Sequence, residues 1–152
     1  MAAEFDCLID IKEIDEMLAE TAETLSGASS VKAGYFEGKA YPNGFEIAKN
    51  ALVQEYGTLD EGDFIPPRPF LTNAMKNERK WENILNAEMD KGRNLSQALA
   101  RVGEEMRSDI VRSIDENIPP ANAASTIKAK GSSHTLIDTG TLKRSASYEV
   151  EK

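Results

Sequence analysis

Asp138-Thr139-Gly140, preceded by Leu136-Ile137, is the stretch of this 152-residue chain whose residue types come nearest to reactive chemistry. Aspartic proteases hold two carboxylates on a shared proton, each carried by a hydrophobic-Asp-Thr-Gly turn. A half-enzyme that dimerises needs one such turn, so a dimeric acid protease built on Asp138 is one reading. Its setting argues against it. Only 12 residues follow Gly140, and Lys143-Arg144 come at once. The protease turn opens into long strands, whereas the pattern before this one is helix and loop. In the competing reading Asp138 and Thr139 bond to nearby backbone, and Gly140 supplies a special dihedral.

Other reactive groups are sparse. His134 is the only histidine. Ser133, His134 and Asp138 form a nucleophilic triad on paper, but no strained nucleophile turn surrounds Ser133, and His134 is expected to be exposed. His134 and Cys7 are too few for a zinc site, which normally needs several such ligands. Lys130-Gly131-Ser132-Ser133 lacks the strand-to-helix setting of a phosphate-binding loop. No cofactor is expected. Arg68 is different. It sits between Pro67 and Pro69 on stiff backbone, beside Ile65 and Phe70. Its guanidinium suits a bidentate pair with a carboxylate, within the chain or across an interface.

The elements that must position these residues follow from periodicity. Ile11, Ile14, Leu18, Ala22 and Leu25 recur at helical spacing after an Asp10/Glu13 capping box, which reads as a core helix ended by Ser26-Gly27. Val31 to Phe36 reads as a short strand. Pro42-Asn43-Gly44 is a turn, with Asn43 and Glu46 placed to cap a second helix that carries Ile47, Ala48, Ala51 and Leu52 and stops at a left-handed Gly57. Asp60, Glu61 and Asp63 make the next loop acidic. Pro66, Pro67 and Pro69 keep it from becoming helical. A third helix runs from Phe70 to Gly92. A fourth starts at an Asn94/Gln97 box and carries the cleanest stripe: Leu95, Leu99, Val102, Met106, Ile110 and Ile114. Asn117 to Thr135 has no periodicity. It reads as a flexible loop over residues 118–135, mobile in a free subunit and protected in an assembly. Ala146, Tyr148 and Val150 alternate with polar residues, as in a strand. The expected fold class is α+β, a single domain with about four helices on a small, mostly antiparallel sheet of short strands.

Composition bounds the partners. Lys+Arg is 18 and Asp+Glu is 26, a net charge of -8. Such a chain is a poor general binder of nucleic acid, which needs a concentrated positive field, and of anionic membranes. Hydrophobic residues make up 40% of the sequence, and no apolar run approaches the length of a membrane span. The acidic N-terminal stretch, with Glu4 and Asp6, lacks the basic flank of a secretory signal.

Taken in order, the motifs converge. Val31-Lys32-Ala33-Gly34, Gln54-Glu55-Tyr56-Gly57, Ile65-Pro66-Pro67-Arg68-Pro69-Phe70-Leu71, Asn117-Ile118-Pro119-Pro120, Ser125-Thr126-Ile127-Lys128, Lys130-Gly131 and Leu136 to Gly140, closing with Leu142 and Tyr148, resemble the tail-component or neck proteins of tailed bacteriophages and prophages. That family is related to the minor tail protein Z and virion-morphogenesis types. The resemblance covers about residues 31 to 150. His134-Thr135 departs from the family's Pro-containing approach to the Asp-Thr-Gly. The resemblance implies a structural virion protein of the head–tail junction with no catalytic residues. It implies a homo-oligomeric ring, six-fold in our reading, that completes or stabilises the tail end. Its partners would be head-completion and tail-terminator or tail-tube proteins, with DNA only as the genome passing through the channel, and no membrane. The protein would reside in the virion, and in the host cytoplasm before assembly. Arg68, Phe70, Lys128, Lys130, Asp138 and Arg144 are the residues expected at interfaces.

Overall fold

A computed structural model describes residues 11–25, 27, 30–59 and 64–152. Cys7, the Asp10 cap, Ser26 and the acidic residues at 60, 61 and 63 lie outside the described residues. The fold is α+β. In chain order the elements are α1 (Ile11–Leu25), β1 (Ser30–Gly34), α2 (Ile47–Tyr56), α3 (Phe70–Met75), α4 (Glu78–Asp90), α5 (Leu95–Asp115), α6 (Ala124–Lys130), α7 (Thr141–Ser145) and β2 (Ser147–Glu151).

Helix α5 is the axis of the molecule. Its start is fixed by the predicted box: Gln97 N donates to Asn94 Oδ1 at 2.9 Å, and Asn94 N donates to Gln97 Oε1 at 3.3 Å. At ~1.5 Å per residue it is roughly 32 Å long. Helices α3 and α4 and both strands pack on it. The strands pair antiparallel, with Val31 opposite Val150 and Ala33 opposite Tyr148. Gly103 is where the sheet comes closest. A Cβ there would stand 2.4 Å from Tyr148 Cδ2 and 2.8 Å from Val31 Cγ2. The core gathers Ile47, Ala51, Phe70, Ala74, Ile110, Ile114, Ile118, Leu142 and Ala146. Phe70 is fully buried, its ring edge-on to Tyr35 with centroids 6.0 Å apart.

Two buried carboxylates brace this frame. Glu55 on α2 accepts from Leu71 N at 2.8 Å, Thr72 N at 3.0 Å and the Thr72 hydroxyl. It thereby satisfies amides at the start of α3 that no α3 side chain reaches. Asp109 on α5 accepts from Lys80 Nζ at 2.7 Å and Trp81 Nε1 at 2.8 Å, clamping α4, and it also pairs with Arg112. Burial alone would raise the Asp109 carboxyl, but the bonds from Lys80 and Trp81 outweigh it and hold it below its ordinary value. The Lys80 bond likewise outweighs burial and lowers Glu105.

Several expectations need correction. There are seven helices among the described residues, not about four. The helix expected from Phe70 to Gly92 breaks at Lys76-Asn77, where Asn77 Nδ2 donates to Ala74 O at 3.2 Å and competes with the helical ladder. Asn43 does not cap α2. Its side chain closes the preceding turn by accepting from Phe45 N at 3.1 Å, and α2 begins only at Ile47. Gly57 has the expected positive φ of 73°, but with ψ −176° it is not the left-handed helical cap. The segment expected to be a flexible loop holds α6. The Gly140 turn opens into α7 before the last strand. Helix α1 is not a core helix over its described side chains: residues 15–23 are all exposed, Leu18 at 62% and Met17 at 66%.

Candidate functional site

The two motifs that stand out in the sequence are joined in space by a relay of hydrogen bonds. The proline loop first folds back on α2. Thr58 N donates to Ile65 O at 2.9 Å, and Arg68 N donates to Gln54 O at 2.7 Å. The return is so close that a Cβ on Gly57 would lie 2.5 Å from Ile65 O. Arg68 then reaches across to the segment after α5. Its Nε donates to Pro120 O at 3.1 Å, and its NH2 to Asn122 Oδ1 at 3.3 Å. Asn122 Nδ2 donates onward to His134 O at 3.1 Å. Next to it, Thr135 N donates to Asn117 Oδ1 at 2.7 Å and Thr135 Oγ1 to Ile118 O at 3.0 Å. Leu136 follows at φ 56°, and Gly140 takes the left-handed region at φ 76° before α7.

The relay explains why residues 117–135 are not featureless. Their polar side chains bond to backbone far away in sequence, so the order has no periodic signature. Thr135 is 1% exposed. His134, expected to be exposed, is half-buried, with Nε2 against Asp115 O at 3.4 Å and a buried Nδ1 that has no partner.

A cavity of about 550 Å³ opens beside the relay, lined by Tyr41, Asn50, Gln54, Lys130, Asp138 and Thr139 among others. Asn50 Nδ2 donates to Tyr41 Oη at 2.7 Å. Burial pushes the Tyr41 hydroxyl up; the Asn50 bond opposes this and the Asp138 charge adds to it. Lys130 Nζ donates to His134 O at 3.1 Å. Burial pulls this ammonium down, with Asp138 opposing and Arg68 adding. Asp138 is exposed, and its carboxylate accepts no hydrogen bond among the described residues. Lys130 lines the same cavity as this carboxylate. A second hollow of about 550 Å³ lies against Phe64, Ile65, Pro66, Arg68, Pro120 and Asn122.

The six sequence-predicted residues therefore divide. Arg68, Lys130 and Asp138 line adjoining hollows on one side of the molecule. Arg68 is 5% exposed and meets carbonyl oxygens rather than a carboxylate; burial lowers its pKa. Arg144 is exposed and ties the turn, NH1 donating to Thr139 O at 3.0 Å. Lys128 is exposed on α6. Phe70 is not at a surface at all: its ring fills the core under the proline loop. Sequence reasoning missed Asn117, Asn122 and Tyr41. The first two flank the Pro-Pro pair, which is the one local hint of a fixed turn. It also missed an apolar groove of about 430 Å³ lined by Leu52, Tyr56, Met75, Trp81 and Met106. Among the described residues no helix is long and apolar enough to cross a membrane. No family model matches the sequence, and neither the curated proteins nor the solved structures contain a match.

Proposed function

We propose that this chain is a structural protein of the head–tail junction of a tailed bacteriophage. Copies form a ring, six-fold by our reading, that completes or stabilises the tail end and joins it to the head. The protein is not an enzyme. The observation that carries the reading is the relay from Arg68 through Asn122 to the Leu136–Gly140 turn. It ties two of the motifs that resemble the phage family, the proline loop and the Pro-Pro segment, to the approach of a third, the Asp-Thr-Gly turn. Lys128, Lys130, Asp138 and Arg144 then serve contacts between subunits, while Arg68 and the buried Phe70 hold the proline loop from within. The net charge of -8 favours a channel that lets DNA pass without holding it. Head-completion proteins on one side and tail-terminator or tail-tube proteins on the other are the neighbours.

A phage lacking this gene tests the reading by electron microscopy and plaque count. Heads and tails that fail to join, or tails that end abnormally, are expected, with rescue by the wild-type chain and equally by Asp138→Asn. Normal tailed, infectious particles without the protein would sink it. So would loss of rescue with Asp138→Asn together with peptidase activity of the wild type at low pH.

A further inference from the structure

Arg68 is a buried cation with most of its hydrogen-bonding capacity unused. Four charged side chains are buried among the described residues: Glu55, Arg68, Glu88 and Asp109. The three carboxylates are answered. Glu55 takes two amides and a hydroxyl at the start of α3. Glu88 pairs with Lys91 and Arg93, and Asp109 with Lys80 and Arg112. Arg68 pairs with no acid among the described residues. A guanidinium carries five N–H donors. Here Nε donates to Pro120 O and Nη2 to Asn122 Oδ1, both neutral acceptors. These two bonds use one edge of the planar group. The other edge, Nη1 with the second N–H of Nη2, has no partner among the described residues. Its fork matches the two oxygens of a carboxylate. A charge withdrawn from water is costly unless an opposite charge meets it.

The surroundings fit such a group. Arg68 lines the hollow of about 550 Å³ whose wall includes Phe64, Ile65 and Pro66. Gln54 lines both this hollow and the one that holds Lys130, so the two cations border adjoining spaces. The Arg68 charge helps to pull the Lys130 ammonium down, which places the two within electrostatic reach. Lys130 Nζ donates to one carbonyl and forms no ion pair among the described residues, although Asp138 lines the same hollow. One negative charge at the free edge of Arg68 therefore offsets two positive charges that repel each other. The apolar wall beside it suits a carboxylate on a short hydrocarbon body. A nucleic-acid phosphate fits poorly, because the guanidinium is recessed at 5% exposure and the chain carries a net charge of -8.

We infer that the free edge of Arg68 binds a carboxylate carried on a short apolar body, with Lys130 adding charge and the Phe64–Pro66 wall adding apolar contact. The site does not depend on the ring reading. An acidic side chain of a neighbouring copy and a free small organic acid are two sources of this one group.

The test titrates 3-phenylpropionate into ¹⁵N-labelled full-length protein at neutral pH and constant ionic strength, with sedimentation of the same samples. Saturable shifts of the Gln54 and Asn122 side-chain amides are expected in single chains, or dissociation of an assembly. The neutral 3-phenylpropionamide and inorganic phosphate should do neither at the same concentration. Lys130→Gln should weaken binding about threefold through lost charge alone. Arg68→Lys keeps the charge but loses the fork, and should weaken it about tenfold. Sedimentation separates the sources. An assembly that the acid dissociates, and that Lys130→Gln weakens, assigns the carboxylate to a neighbouring copy. Binding with unchanged sedimentation assigns it to a free acid. Neither shifts nor dissociation in the wild type overturns the inference. So does an equal response to the amide or to phosphate, or undiminished binding by Lys130→Gln. A phage that assembles normally without the protein rejects the neck reading and leaves this site standing.

Discussion

Gly103→Ala should destabilise this protein, although the same change in most helix interiors stabilises. Alanine exceeds glycine in helix propensity by about 1 kcal/mol. Gly103, however, sits mid-way along α5 where the sheet presses closest. A methyl there would meet the Tyr148 ring at 2.4 Å and 2.8 Å and Val31 Cγ2 at 2.8 Å. Real Cβ atoms do not approach that closely, so something must move. The touching atoms lie close to the backbones of Tyr148 and Val31, so a rotamer change or a shift of the paired strands must make room. Overpacking of this kind costs about 1–3 kcal/mol. Set against the propensity gain, the net loss is roughly 0–2 kcal/mol, with the upper half expected because two side chains clash. For a chain of this length that lowers Tm by roughly 2–8 °C. Thermal unfolding followed by circular dichroism measures it. Tyr148→Ala in the same chain removes the worst contact, so the double variant should recover part of the loss, a coupling readable from the mutant cycle. A rise in Tm for Gly103→Ala alone would refute the packing of the sheet on α5.

Asp109→Asn should cost about 2–3 kcal/mol near neutral pH, less than a fully buried pair, because Lys80 and Arg112 can turn to water. The Asp109 and Glu105 carboxyls are lowered in the fold, so their contribution is present above the unfolded pKa near 4 and lost as pH falls through the lower folded values. The difference in urea midpoint between wild type and variant should therefore shrink in strong acid; a constant difference would contradict the pairing. Lys80 is raised, so its share persists at neutral pH and fades only as pH climbs above its ordinary 10.5. Glu55→Ala should strip hydrogen-exchange protection from the Leu71 and Thr72 amides and lower stability by about 2 kcal/mol. Unchanged protection of those two amides would show that α3 is capped by something else.

The pattern of what could be read from residues alone has a physical cause. The α5 stripe, the Asn94/Gln97 box and the alternation around Tyr148 all arise from neighbours within a few positions, so the sequence displays them. The break at Lys76-Asn77 depends on whether an asparagine side chain turns back on Ala74 O, which its neighbours do not dictate. Glu55 and Asp109 lie on helices whose periodicity marks acids as solvated, yet both are buried, because each serves amides or cations delivered by a different element. Asn117, Asn122 and Thr135 are the same case in a loop. The Thr135 hydroxyl there reaches backbone 17 residues away, and the long Arg68 side chain arrives from 52 residues before Pro120. Helix α1 reverses the error. Its sequence carries an apolar stripe, yet the described side chains from 15 to 23 are exposed, because a stripe says only that an apolar face exists. Periodicity reports the demand for burial, and the Asp-Thr-Gly turn shows the same limit for chemistry. Its residue types are those of a protease turn, but they do not announce what surrounds them: Gly140 opens into the short helix α7, and Arg144 bonds back to Thr139 O.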